Sequence, residues 1–165
     1  SGSGSGCDYG SAVCMTVTVE PSDPRDAAAV ALLEQSHALM TAMYPAESCH
    51  FLSLDALCTP DISFVVGKVD GVTMGCGAIA RRSDYVELKS MFVDPAARGQ
   101  KVAQHILEHL IAMSLDQGFS QMYLETGVGL DAAHRLYEKY GFAFCPPFGD
   151  YVTDPLSLCM HKALR

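Results

Sequence analysis

Residues 85–117, YVELKSMFVDPAARGQKVAQHILEHLIAMSLDQ, change hydrophobic period once and carry a short basic, glycine-containing turn at the change. Tyr85 to Val93 is rich in β-branched, aromatic and apolar residues and stops at Asp94-Pro95, where Pro95 has no N–H to give to a ladder; this reads as a strand. Beyond the turn, Val102, Ile106, Leu107, Leu110, Ile111 and Met113 recur at helical spacing. The spacing predicts a helix from near Lys101 to near Gly118, its C′ glycine. Strand, turn and helix direct free backbone N–H groups and the positive end of the helix dipole at one point, which suits a phosphate. Arg98 and Lys101 add positive charge there, and Gly99 lets the backbone come close to a ligand. The turn lacks the Gly-Lys-Ser/Thr ending of a P-loop, and no G-x-G-x-x-G follows a strand anywhere in the chain.

The run V-D-P-A-A-R-G-Q-K-V-A at residues 93–103, followed by L-Y-E-K-Y-G-F at 136–142, resembles the GNAT superfamily of acyl-CoA-dependent N-acyltransferases. Taken with the element order below, the resemblance spans roughly Pro21 to Leu164. It implies that Arg98, Gly99, Gln100, Lys101, Val102 and Ala103 form the family's pyrophosphate loop, Arg/Gln-x-x-Gly-x-Gly/Ala, with Gln104 helping from the first helical turn. Lys101 stands where the family usually has its first glycine, which adds a side chain and a charge. The resemblance further implies that the central strand and the next parallel strand splay apart. In that gap the backbone of Met91, Phe92 and Val93 would pair with the pantetheine arm of CoA and supply an N–H for the oxyanion. Glu87 falls where histone-modifying members carry a general base, and Tyr137 where a phenol protonates the departing thiolate. Leu130 replaces an asparagine common in the family.

At 165 residues the chain is most simply one domain, able to bury about two-thirds of its unfolded surface without a metal or disulfide staple. Its seven cysteines, at 7, 14, 49, 58, 76, 145 and 159, are odd in number and form no C-x-x-C pair. That argues against a zinc site and a disulfide framework and for a reduced, cytoplasmic protein. No apolar run approaches the roughly 18 residues of a membrane span, and the first residues lack a signal-peptide layout. The formal charge of −8 argues against a nucleic-acid partner. It reads as ordinary solubilising charge and is also compatible with a cationic amine substrate.

Residues 1–14 open with alternating Ser and Gly and read as a flexible linker or added remnant, leaving 15–165 as the domain. A strand from Thr16 to Val19 leads through the Pro21–Pro24 turn, where Ser22 or Asp23 is placed to cap a helix running from Arg25 to Tyr44. A short helix at Leu54–Leu57 follows. Ile62–Val69 and Val72–Arg81 then form a hairpin through Asp70-Gly71, and Gly75 and Gly77 mark close approach of another backbone. After the central strand and its helix come a strand at Gln121–Thr126, a helix at Asp131–Tyr140 ended by Gly141, and strands near Phe142–Phe144 and Leu156–Lys162. The fold class is therefore α/β: a single-domain, GNAT-like, mixed and mostly antiparallel splayed β-sheet flanked by α-helices.

The expected activity is transfer of an acetyl group from acetyl-CoA to a primary amine of a small molecule, amino acid or protein, by direct attack with general acid/base help. A non-catalytic acyl-CoA-binding module is the alternative. Glu87 is either the base or a strand carboxylate paired with Lys89 or Arg81, and Glu125 is the second choice for base. Glu47, Ser48, Cys49 and His50, in the loop after the first helix, are acceptor-side candidates. So are Asp150, Asp154, Phe148 and Tyr151 in the long loop between the last two strands. His105, His109 and His134 read as surface residues, and no metal is expected. A membrane partner is not expected, and a homodimer is left open.

Overall fold

Asp70 and Gly71 both take positive φ, 51° and 85°, the geometry that matches a two-residue turn to the twist of its flanking strands. They join β2 (Ile62–Val69) to β3 (Val72–Arg81). β1 (Val17–Pro21) pairs antiparallel with β2, and β3 pairs antiparallel with β4 (Val86–Val93). β5 (Gln121–Gly127) lies parallel to β4, and β7 (Ser157–Ala163) runs antiparallel between β5 and β6 (Ala143–Cys145). The computed structural model describes residues 16–45, 54–97, 99–149, 151 and 153–164. Among them the strands form one sheet in the order β1-β2-β3-β4-β5-β7-β6. The linker reading of residues 1–14 and the expectations on Glu47, Ser48, Cys49, His50, Arg98 and Asp150 lie outside the described residues.

Alternation along the strands sends side chains to two cores. Val65, Ile79, Val86, Leu88, Met122 and Leu124 meet α3 (Val102–Asp116) and α4 (Asp131–Lys139) on one face. Phe64, Val66, Cys76 and Ala78 meet α1 (Ala27–Met43) and α2 (Leu54–Leu57) on the other. Gly67, Gly75 and Gly77 floor the first face. A Cβ on Gly67 or Gly75 would stand 2.9 Å from Val102 Cγ1, and one on Gly77 would stand 2.8 Å from Ile106 Cγ2. The close approach expected at Gly75 and Gly77 is thus made by side chains of the helix and by Met91 Sδ, 2.7 Å from a Cβ on Gly77, although Phe92 O also lies 3.2 Å from a Cβ on Gly75.

Several boundaries differ from expectation. Asp23 and Ser22 do not cap α1, because Asp23 to Asp26 form a turn closed by the Asp26 N–H on Asp23 O at 3.0 Å, and the helix begins only after it. Asp23 Oδ1 accepts instead from the Arg25 N–H at 2.9 Å. β6 starts at Ala143 because Phe142 belongs to the stop of α4: its N–H donates to Tyr137 O, and the Gly141 N–H donates to Glu138 O, each at 3.0 Å. The same two-bond stop closes α3, from Phe119 to Ser114 O and from Gly118 to Leu115 O, with Gly118 at φ 89°. Finally, a short 3₁₀ turn at Pro95–Ala97, not anticipated, leads from β4 toward α3.

Candidate active site

The site grows from one irregularity in β4. Lys89 pairs with Ala78 and Phe92 with Cys76, so Ser90 and Met91 together stand opposite Gly77 alone, a β-bulge. Ser90 takes φ 58°, and the extra residue reverses parity. Leu88 before the bulge and Met91 and Val93 after it all belong to the α3 face, while Phe92 turns to the α1 face. Pairing of β4 with β5 stops at the same place: Val86↔Met122, Glu87↔Tyr123 and Leu88↔Leu124 are in register, and no β5 residue pairs with β4 beyond them. The strands therefore part at Lys89, and the β5-facing edge of Lys89–Val93 has no ladder partner from that strand.

A cavity of about 140 Å³ occupies the parting. Leu124 and Tyr137 line it from the α3–α4 side, Met40, Tyr44 and Glu125 from the α1 side, and Ser90 and Met91 at the bulge. Tyr44 Oη donates to Val128 O at 2.5 Å, tying the end of α1 to the turn after β5. Gly127 makes that contact feasible, since a Cβ there would collide with the Tyr44 hydroxyl.

Beyond β4 the chain turns into α3. Asp94 Oδ1 accepts from the Ala96 N–H at 2.9 Å, Gly99 takes φ 86°, and Lys101, the N-cap of α3, takes φ 64°. Lys101 gives no side-chain cap, so the N–H groups of Val102, Ala103 and Gln104 leave the helix end without an intrahelical acceptor. A Cβ added to Gly99 would meet nothing within 4 Å. Open space, uncapped donors, a helix dipole and the exposed Lys101 are the features a diphosphate needs. Val102 offers only its backbone, because its side chain is 1% exposed against the glycine floor. The left-handed φ of Lys101 gives a physical reason for the family's glycine at this position.

Tyr137 projects from α4 into the cavity wall, with its ring 5.7 Å from that of Phe142. Burial pushes its phenol up to about 12, so it holds its proton at neutral pH. Glu125 lines the same cavity and accepts from Ser157 Oγ at 2.6 Å. Glu87, 3% exposed, does not line it. Its carboxylate receives Arg82 Nη2 at 3.3 Å on Oε1, while Lys89 Nζ at 3.3 Å and the Tyr151 hydroxyl meet Oε2. Arg81, the other expected partner, faces the α3 side, where it donates to Ser63 Oγ and Pro60 O. Tyr151 also accepts from Lys89 Nζ at 2.7 Å. Burial and the neighbouring Glu87 charge raise the Tyr151 phenol far above its ordinary value.

Sequence reasoning missed Ser36, Met40 and Tyr44 on α1, whose place over the cleft is set by helix packing. It also missed the ring cluster in which Tyr85 and Tyr123 join Phe148, with centroids 4.9 Å apart for Tyr85–Tyr123 and 4.7 Å for Tyr123–Phe148. The bulge had a signal: Ser90 interrupts the alternation that Val86 and Leu88 begin. His134 Nε2 lies 3.0 Å from Gly127 O, and His105 is exposed. Among the described residues no group of three or more His, Cys, Asp or Glu could hold a metal ion, and no helix is long and apolar enough to cross a membrane.

A splayed sheet with an uncapped helix end beside it is the scaffold an acyl-CoA transferase needs, and similarity agrees. The family described as "Acetyltransferase (GNAT) family" matches residues 29–142. An IAA acetyltransferase of Azospirillum brasilense is 43% identical over 150 residues, 90% of this chain and 98% of that protein. A Klebsiella pneumoniae structure assigned as an acyl-CoA N-acyltransferase superposes with TM-score 0.77 at 28% identity, covering 91% of this chain and 99% of that one. A Salmonella typhimurium structure assigned as an acetyltransferase, with its cofactor acetyl-CoA, superposes with TM-score 0.67 at 23% identity, covering 90% and 94%. The chain belongs to the acetyltransferase (GNAT) family. It is an acyl-CoA N-acyltransferase, an enzyme that passes an acetyl group from acetyl-CoA to an amine.

Proposed function

We propose that the reaction takes place in the β4–β5 cavity, with Tyr137 as general acid and Glu125 as the carboxylate that accepts the amine proton, directly or through water. One observation carries this reading: of the three groups expected to move protons, Tyr137 and Glu125 line one cavity while Glu87 does not. Acetyl-CoA brings the thioester. Gly99, Gln100, Lys101, Val102, Ala103 and Gln104 hold its pyrophosphate at the α3 end, joined by Arg98, which stands in the same turn of the sequence. The edge of β4 at Met91, Phe92 and Val93 holds its pantetheine arm. Tyr137 Oη keeps a proton available, and Glu125, supported by Ser157, takes one up. Glu87 has the supporting part of fixing Lys89 and Tyr151 on the acceptor side. The acceptor is a small amine or a peptide amine. The reduced state expected of its cysteines supports a cytoplasmic setting.

The test compares Glu125→Gln with Glu87→Gln on a panel of amines, following release of free thiol. Glu125→Gln lowers turnover by roughly 10²–10⁴-fold and leaves acetyl-CoA affinity intact. Full turnover in Glu125→Gln, with the defect appearing in Glu87→Gln and shrinking at higher pH, returns the base to Glu87.

A further inference from the structure

Ser90 sits at the centre of the parted strands in a conformation that serine seldom adopts. Its φ of 58° belongs to the left-handed region, and it is the first residue of the bulge opposite Gly77. Its backbone is engaged, with the carbonyl accepting from Cys76 Sγ at 3.3 Å. Its hydroxyl is not. Among the described residues, Ser90 Oγ is the one buried side-chain oxygen or nitrogen with no hydrogen-bond partner. The contrast is with Ser114, fully buried within α3, whose hydroxyl donates to Leu110 O at 2.8 Å. Buried hydroxyls are normally paired, because one left alone has lost its water and gained nothing in return. A strained backbone that carries such an orphan into a cavity is the pattern of a site prepared for a ligand.

Ser90 lines the same cavity as Tyr137 and Glu125. If those two serve the departing thiolate and the incoming amine, the carbonyl carbon that connects thiolate and amine lies between them. We propose that Ser90 Oγ–H donates a hydrogen bond to the thioester carbonyl oxygen of the acyl donor. One torsion, about Cα–Cβ, carries Oγ around the wall that the residue already forms. The carbonyl oxygen gains negative charge as the amine attacks, so a hydroxyl donor there both orients the thioester and strengthens as charge develops. No proton leaves Ser90, and no bond to it forms. The inference rests on the cavity reading above and adds to it a residue that recognises the acyl group rather than the CoA body.

The test reads binding and stability, so it stands apart from the proton-transfer roles of Glu125 and Tyr137. Ser90→Ala is compared with the wild-type chain by thermal unfolding without ligand and by calorimetry with acetyl-CoA and with S-ethyl-CoA, which keeps the pantetheine arm and lacks the carbonyl oxygen. The unliganded variant is expected to unfold at the same or a higher temperature, because only an unpaired hydroxyl is removed. Its acetyl-CoA affinity should fall roughly tenfold while S-ethyl-CoA binds unchanged. Ser90→Gly, which suits the left-handed backbone, should repeat the result and guards against a folding defect in the alanine variant. Equal losses for the two ligands, no loss for either, or a lower unfolding temperature in both variants would overturn the assignment. Failure of the wild-type chain to bind acetyl-CoA would instead sink the cavity reading itself.

Discussion

Tyr151 Oη stands between Lys89 and Glu87, accepting from Lys89 Nζ at 2.7 Å and donating to Glu87 Oε2. One phenol thus fastens the long loop before β7 to the central strand and completes the shell of a nearly buried ion pair. Tyr151→Phe keeps the ring and removes both bonds. It should cost about 1–3 kcal/mol of stability by denaturant unfolding, the scale for unpairing buried polar groups. On the proposed placing of the acceptor beside this loop, acceptor KM should rise while acetyl-CoA affinity holds. Unchanged stability and unchanged acceptor KM together would show the loop to be held by other means.

Lys101 pays a backbone penalty at φ 64° that glycine would not. Lys101→Gly is therefore expected to stabilise the free protein by about 1 kcal/mol. It should also weaken acetyl-CoA roughly two- to fivefold, the modest scale of an exposed ion pair, and the loss should fade as salt is raised. Calorimetry at two ionic strengths checks both signs. A tighter acetyl-CoA complex in the glycine variant would remove the ammonium from the phosphate site.

The glycine floor packs under the start of α3 through Val102. A Cβ at Gly75 would stand 2.9 Å from Val102 Cγ1 and 3.2 Å from Phe92 O, and the carbonyl cannot swing aside as a side chain can. Gly75→Ala should destabilise by about 1–3 kcal/mol, the usual cost of overpacking, and should weaken acetyl-CoA although residue 75 touches no expected ligand atom. Normal affinity in a destabilised variant would uncouple the helix end from the floor.

Tyr137 has a pH signature. Burial raises its folded pKa from 10.0 to about 12, above the unfolded value. The folded state therefore binds the proton more tightly, and the stability this contributes is fully present below pH 10 and lost as pH rises through 12. Unfolding midpoints should drop across that window by less in Tyr137→Phe than in wild type. The half-buried Tyr140, raised to about 12 by burial and its bond to Glu108, remains in both proteins as an internal control. Parallel curves would mean that the Tyr137 phenol is not held in the dry wall of the cavity.

Much of the fold was legible because local chemistry and tertiary need agree. The hairpin at Asp70-Gly71 and the glycine stops at Gly118 and Gly141 follow from turns that L side chains resist, and β2 and β3 have the expected bounds. The strand, turn and helix around Gly99 and Lys101 were legible because these residues sit between a strand and a helix whose periods are both clear. What was hidden depends on distant parts of the chain. The bulge at Ser90 and Met91, and the bond to Glu87 from Tyr151 on a remote loop, are two such features. The lining from Met40 and Tyr44 depends on how α1 crosses the sheet, which no spacing within α1 reveals.

The account turns on Tyr137 Oη as the proton source for the departing thiolate, and the most direct measurement is the turnover of Tyr137→Phe with two acetyl donors whose thiols differ in acidity. With acetyl-CoA, turnover should fall by roughly 10²–10⁴-fold. With a donor whose thiol is more acidic, and so needs less protonation to leave, the defect should shrink. A defect of the same size for both donors, or none for either, would contradict the account and leave Tyr137 as a core aromatic of α4.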